Sequence, residues 1–263
     1  MPTLALIATL LVGTVTLRPY VIGFLVFFLV AATRDLGTRR AVGCLAWGAG
    51  VALVAELSST HVGIPFGLYH YTGETRGAEL FLANVPIFSP LSFPFLAYAG
   101  FCVARLARPR TWAASRCGRV GMVLLAGILM TLLDVVIDPL AVRGDRWFLG
   151  HVFYYPAGGV YFGVPLSNFV GWLLVGWVTL GGLVAAGESG AGSPRLGAVL
   201  YALVLFVNLG VTFWIEEWVL GGVGIVVHLM VFLLLYTVSR AAVGRWSAEP
   251  LGASATSGGG RAS

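Results

Sequence analysis

Residues 132–172 read LLDVVIDPLAVRGDRWFLGHVFYYPAGGVYFGVPLSNFVGW, and the fold turns on how this stretch is read. It leaves an apolar run through two aspartates, Asp134 and Asp138. It then crosses a loop rich in Gly, Tyr and Trp. It re-enters apolar sequence through Gly163-Val164-Pro165, with Asn168 and Trp172 just inside. An earlier stretch, Glu56 to Tyr98, has the same order: Glu56 closes an apolar run, the aromatic and Gly loop His61 to Tyr71 follows, and Asn84-Val85-Pro86 opens the next run. A carboxylate is costly where a chain enters lipid, and such residues are usually functional. Both stretches are therefore candidate sites.

The composition supports that setting. The 263 residues are 58% hydrophobic and only 10% charged, against roughly 25% charged in a soluble domain. Mean hydropathy is +0.91, and apolar runs near 20 residues recur, as membrane-spanning helices require. Strand-length alternation is absent, so helices and not a barrel satisfy the backbone in lipid. Net charge is +5 and pI ≈ 9.4. With the arginines falling between spans, this basicity reads as membrane orientation and not as nucleic-acid binding. All 16 basic residues are Arg, which excludes Schiff-base chemistry on a lysine. Cys44, Cys102 and Cys117 form no C-x-x-C pair and read as small core residues. No basic region precedes the first apolar run, so a cleaved signal peptide is not expected.

The expected fold is all-α: a polytopic membrane bundle of about seven transmembrane helices, with eight as the alternative. An interfacial N-terminal segment precedes a first span over 14–33. Further spans fall at about 41–57, 85–104, 120–137, 161–186, 196–217 and 223–240. Residues 1–243 make one integral membrane domain, and 244–263, rich in Gly, Ser and Ala, a disordered cytoplasmic tail. Alternation of sides puts 12 of 16 arginines on one face, including Arg34, Arg39, Arg40, Arg105, Arg108, Arg110 and Arg261. The positive-inside rule makes that face cytoplasmic in a cell membrane. The opposite face receives 8 of 11 carboxylates, among them Glu56, Asp134, Asp138, Glu216 and Glu217.

Asp134 and Asp138 are four apart and share a helical face. Two carboxyls this close in a low dielectric share one charge, which leaves an acid beside a carboxylate, the equipment of general acid–base catalysis. The bland alternative pairs Asp134 with an arginine such as Arg143 and makes Asp138 a cap before Pro139. Asn208, Thr212 and Glu216 make a polar stripe on the sixth span, while Glu217 points elsewhere and reads as solvated. Asn168 could hold a water or fix a carboxylate, or simply bridge helices. His228 reads as a satisfied core histidine, and His61 and His70 as loop residues at the interface. Tyr and Trp in the two loops fit an aromatic belt, or line a pocket whose ring faces stabilise a cation. No histidine boxes, phosphate-binding Gly loop, dinucleotide fingerprint or Ser/His/Asp arrangement stands out. A prenyltransferase-like isoprenoid enzyme is suggested by Asp134-x-x-x-Asp138, but only one Asp-rich motif is present. A small-solute or proton transporter is the reading from a different class, motivated by the polar residues within spans.

Several motifs together resemble a known family. They are Arg18-Pro19-Tyr20 with Gly23-Phe24-Leu25; Glu56-Leu57-Ser58-Ser59 followed by Gly63 to Tyr71; Val85-Pro86 to Pro90-Leu91-Ser92; Asp134 to Pro139; and Gly163 to Trp172. The chain resembles the carotenoid biosynthesis membrane proteins of the CruF type, the carotenoid 1,2-hydratases, over roughly residues 14–240. Residues 155–159 and Phe93, where Trp is expected, depart from the pattern. The resemblance implies a cofactor-independent hydro-lyase that adds water to the terminal double bond of an acyclic (ψ) carotenoid such as lycopene or γ-carotene. It also implies the lipid bilayer and other carotenoid enzymes as partners, and no nucleic acid. Residue roles come from the physical reading. Asp134 and Asp138 supply the proton, and Glu56, with Glu216 as second choice, deprotonates a water held by Asn168. Phe66, Tyr69, Tyr71, Tyr155, Tyr161, Trp172 and Trp214 receive the substrate.

Overall fold

The structure, a computed structural model, describes residues 3–107, 115–186 and 192–247, with side chains through Arg240. Arg108, Arg110, Arg261 and residues 248–263 of the expected tail lie outside the described residues. Eight α-helices appear among those described: α1 (Leu4–Leu17), α2 (Pro19–Leu36), α3 (Thr38–Val62), α4 (Phe88–Ala107), α5 (Arg116–Ala141), α6 (Leu166–Ala185), α7 (Arg195–Trp214) and α8 (Trp218–Ser247). Seven of them, α2 to α8, are long and apolar enough to cross a membrane. This is a multi-pass membrane protein of the all-α class.

The first helical boundary follows from local chemistry. The 14 residues of α1 reach about 21 Å at ~1.5 Å per residue, short of a ~30 Å hydrocarbon core. Arg18 leaves the helical region, and Pro19 restarts the helix at its first position, where a missing N–H costs nothing. The first span therefore begins at Pro19 and not inside α1. The span expected at 41–57 runs on to Val62, where Gly63 takes the left-handed conformation that ends helices. Glu56 and His61 thus lie inside its last turns. The span expected from 161 begins at Leu166, because Tyr161 and Val164 exchange backbone hydrogen bonds in a tight turn. The last helix continues past Gly244 to Ser247.

The most enclosed span is α4, with 72% of its apolar window buried. It packs against α3, α5 and α7. Small residues permit this. A Cβ on Gly100 would sit 2.6 Å from the Ala126 carbonyl oxygen, so α4 and α5 approach backbone to backbone. Close contact of this kind supplies the van der Waals contribution that lipid, as apolar as the helices, leaves to packing.

The two long loops fold together over one end of the bundle. β1 (His70–Tyr71) of the first pairs antiparallel with β4 (Phe153–Tyr154) of the second, with His70 opposite Tyr154. Within the first loop, β2 (Phe81–Leu82) pairs with β3 (Val85–Pro86). Thr72 N–H donates to Val152 O at 2.9 Å, extending the junction. Alternation along the strands puts Tyr69, Tyr71, Phe153 and Tyr155 on the inner side, where their rings touch.

A buried ion pair ties this cover to the helices. Arg18 Nη2 lies 2.8 Å from Glu79 Oε1, and both side chains are almost fully enclosed. Arg18 Nη1 also donates to Leu149 O at 2.7 Å, and its guanidinium lies 4.5 Å from the Phe88 ring centre. One side chain thus joins the α1–α2 break to both loops. Removing one partner of a buried pair strands the other charge, at a cost of about 3–5 kcal/mol, whereas an apolar replacement of both costs less. Glu79→Ala should therefore lower stability by about that amount in detergent unfolding, and Arg18→Met with Glu79→Leu should lower it less. Equal losses would count against the ion pair as the tie.

Candidate active site

The ends of α2 to α7 that meet beneath the paired loops enclose a cavity with empty space of ≈ 910 Å³, its mouth included. Glu56 reaches it from α3, Ser89, Ser92 and Phe93 from α4, Asp138 from α5, and Asn168 and Trp172 from α6. Each polar group lies within the first or last turns of its helix, so the polar residues collect at one end of an apolar bundle.

Asn168 is the centre of the polar cluster. Its Nδ2 donates to Asp134 Oδ2 and to Asp138 Oδ2, each at 2.8 Å. Its Oδ1 accepts from the Tyr155 hydroxyl at 3.0 Å. Trp172 Nε1 donates to the same Asp138 oxygen at 3.3 Å. Asp134 is fully buried behind this amide, and Asp138 faces the cavity. Burial, first of all, pushes the Tyr155 phenol far above its ordinary value, and the nearby Asp138 and Asp134 add to the effect. It therefore stays a hydrogen-bond donor.

Glu56 approaches from another helix. Its Oε1 accepts from Ser89 Oγ at 2.5 Å, and Ser89 Oγ accepts from the Tyr71 hydroxyl at 2.9 Å. The intervening wall is aromatic. Phe93 and Trp172 stack with ring centres 4.3 Å apart and planes 9° off parallel, and Phe66 leans on both. Gly171 allows this closeness, since a Cβ there would meet Phe66 Cδ1 at 2.5 Å and the Pro65 backbone at 2.9 Å.

The structure thus brings together Glu56, Asp134, Asp138 and Asn168, with Phe66, Tyr69, Tyr71, Tyr155 and Trp172 around them. It separates three other candidates. Glu216 is exposed, because α7 ends at Trp214 and the left-handed backbone at Glu216 (φ 64°) turns the chain away. The stripe stops short of it: Asn208 lines the cavity, and Thr212 donates to the Asn208 carbonyl. Trp214 is 68% exposed on the outer surface of α7. Tyr161 packs on Phe162 and Phe169, donates to Val135 O, and does not line the cavity. Its place is set by the tight turn before α6.

Arg143 does not pair with Asp134. It binds Glu217 Oε1 at 2.9 Å and the Phe162 carbonyl at 2.6 Å, and Arg146 binds the same Glu217 oxygen. Glu217, expected to be solvated, is instead half-buried and doubly paired. His228 is a core histidine, bonded through Nδ1 to the Gly224 carbonyl. Ser89 is one unremarkable serine within the Val85 to Ser92 motif, and Phe93 stands in the sequence only as a departure from an expected tryptophan. Neither had a signal short of knowing which helices meet.

Fold and site together define the class: a polytopic helical membrane protein with carboxyl groups from two helices gathered under an aromatic cover. The chain matches the carotenoid biosynthesis protein family over residues 10–237, and it belongs to that family. Membership gives it an enzymatic role in carotenoid biosynthesis. No match is found among curated proteins or solved structures.

Partial burial pushes the Glu217 carboxyl up, but the hydrogen bonds and charges of Arg143 and Arg146 outweigh this and hold it below its ordinary value of 4.5. A lowered carboxyl contributes stability that is present above the ordinary value and lost as pH falls through the lowered one. Unfolding followed against pH should show an acid limb below about 4.5 that is smaller in Glu217→Gln. An identical limb in the variant would mean that the two arginines do not act through this carboxylate.

Proposed function

We propose that this protein is a carotenoid hydratase, adding water across the terminal double bond of an acyclic (ψ) end group to give a tertiary alcohol. The supporting observation is that Glu56 and Asp138, from different helices, line one cavity walled by aromatic rings. Hydration of a trisubstituted alkene needs a proton donor on one side, a proton acceptor for water on the other, and a surface tolerant of positive charge between them.

In this mechanism Asp138, backed by Asp134 through Asn168, gives its proton to the less substituted alkene carbon. The π pair becomes the new C–H bond and leaves a tertiary cation. The ring faces of Trp172, Phe93 and Phe66 lie against that charge, which aromatic quadrupoles attract. A water lone pair closes on the cation, Glu56 takes the proton released, and proton exchange returns the pair to its starting state. One water is consumed and no net proton. Asn168 holds the two aspartates in register. The polyene lies in the apolar part of the cavity, among Val21, Phe24, Phe95, Leu96 and Val204. The arginine-rich loops face the cytoplasm by the positive-inside rule, which puts the reaction at the outer leaflet.

Membranes containing the protein, given lycopene or γ-carotene in ¹⁸O-water, should yield a tertiary alcohol carrying the label. Label drawn from molecular oxygen, or no change in pigment together with solute uptake into proteoliposomes, would overturn the reading. Asp138→Asn should leave the protein folded and lower turnover by about 10²–10⁴-fold, the usual contribution of a positioned proton donor. Unchanged turnover in that variant would move the acid to another residue.

A further inference from the structure

The two oxygens of Glu56 are held differently. Oε1 accepts from Ser89 Oγ at 2.5 Å, and Ser89 is in turn held by the Tyr71 hydroxyl at 2.9 Å. Oε2 is buried and meets no protein donor, in a side chain that is 2% exposed and lines the cavity. Buried polar atoms are nearly always satisfied, and an orphan calls for an explanation such as a water or a ligand. Asp134 Oδ1 is also without a partner, but Asp134 does not line the cavity.

The relay also has a direction. The Tyr71 phenol is pushed far above its ordinary value by burial and by the neighbouring Glu56, so it remains a donor. Its proton turns the Ser89 hydroxyl outward, and the Ser89 proton is committed to Oε1. A terminal carboxyl torsion is broad and roughly two-fold by itself, so a firm hydrogen bond at one oxygen sets the plane of the other. Ser92, whose hydroxyl donates to the Ser89 carbonyl at 2.7 Å, lines the same cavity and offers a second oxygen. A bound water needs two to four polar partners, and this wall supplies the first of them.

We infer that Glu56 Oε2 is the binding position of the water consumed in the reaction, and that Ser89 and Tyr71 are positioning residues that aim it. This rests on the hydratase reading. Water donates one hydrogen to Oε2, which leaves an oxygen lone pair free to attack the cation. As the C–O bond forms, the O–H bond to Glu56 breaks and its proton passes to the carboxylate.

The test has two arms. In the first, Ser89→Ala should lower kcat by about tenfold, as expected for a misaimed reactant, with KM within about twofold of wild type. Ser89→Thr, which restores the hydroxyl, should recover kcat. In the second, the infrared carboxyl band of Glu56, identified by its loss in Glu56→Gln, should shift in Ser89→Ala and return in Ser89→Thr. A band indifferent to Ser89→Ala, or kcat equal to wild type in that variant, overturns the water site whatever the wild type makes. A wild type that forms no labelled alcohol overturns the hydratase reading. If the band still responds to Ser89 in that case, the relay stands and water as the reactant does not.

Discussion

The site depends on one constraint: two aspartates on a membrane-spanning helix need hydrogen-bond donors supplied by the neighbouring helix. Asp134 and Asp138 project from the same face of α5, and a single amide, Asn168, donates to both. An amide has two donors in one plane, which matches two carboxyls one turn apart. To place that amide, α6 must begin at the same depth at which α5 ends. The tight turn at Tyr161–Val164 and the start of α6 at Leu166 accomplish this. Tyr155, from the loop that joins the two helices, donates to the amide oxygen. The cluster is therefore built from one helix–loop–helix unit, residues 116–185, and needs a second unit only for Glu56.

Charge elsewhere is given a partner at the two ends of the bundle, buried for Arg18 with Glu79 and for Asp35 with Arg105 and partly exposed for the others. At the end that carries the cavity, Arg18 meets Glu79, and Arg143 and Arg146 meet Glu217. Arg76 lies over the Phe81 ring and donates to Ala83 O. At the other end, Asp35 accepts from Arg105 at 2.5 Å and from Tyr98, and Arg105 reaches the Gly192 carbonyl. The acids left at the cavity, Glu56, Asp134 and Asp138, have hydrogen-bond partners but no arginine. Proton-transfer groups require that arrangement, because a carboxylate locked to a guanidinium is a poor acid and a poor acceptor.

The aromatic loops serve a purpose beyond anchoring at an interface. Pairing of β1 with β4 puts alternate side chains inward, so Tyr69, Tyr71, Phe153 and Tyr155 become the ceiling of the cavity while His70 and Tyr154 face outward. The stacked Phe93–Trp172 pair gives the same space an aromatic wall. Phe93, where the resemblance led to an expectation of tryptophan, supplies the stacking surface against Trp172.

Seven helices long and apolar enough to cross a membrane, and the gathering of Glu56, Asp134, Asp138 and Asn168 at one end of them, were legible in the sequence. These follow from hydropathy, from the alternation of sides and from helical spacing, all of which are local or additive along the chain. Partnership is neither, and there the sequence misled. Glu216 and Trp214 fit the helical stripe of the sixth span, but a single left-handed residue past the end of α7 directs the acid outward. Tyr161 fits the loop composition, but a two-residue turn commits its ring to Phe169. Ser89 carries no mark in sequence, and it matters only because α4 begins beside the end of α3 under the Tyr71 strand. Which group faces a cavity depends on the rotation of each helix about its axis. That rotation is set by small-residue contacts such as Gly100 on α5 and Gly171 on Phe66, so it was decided by packing between segments far apart in the chain.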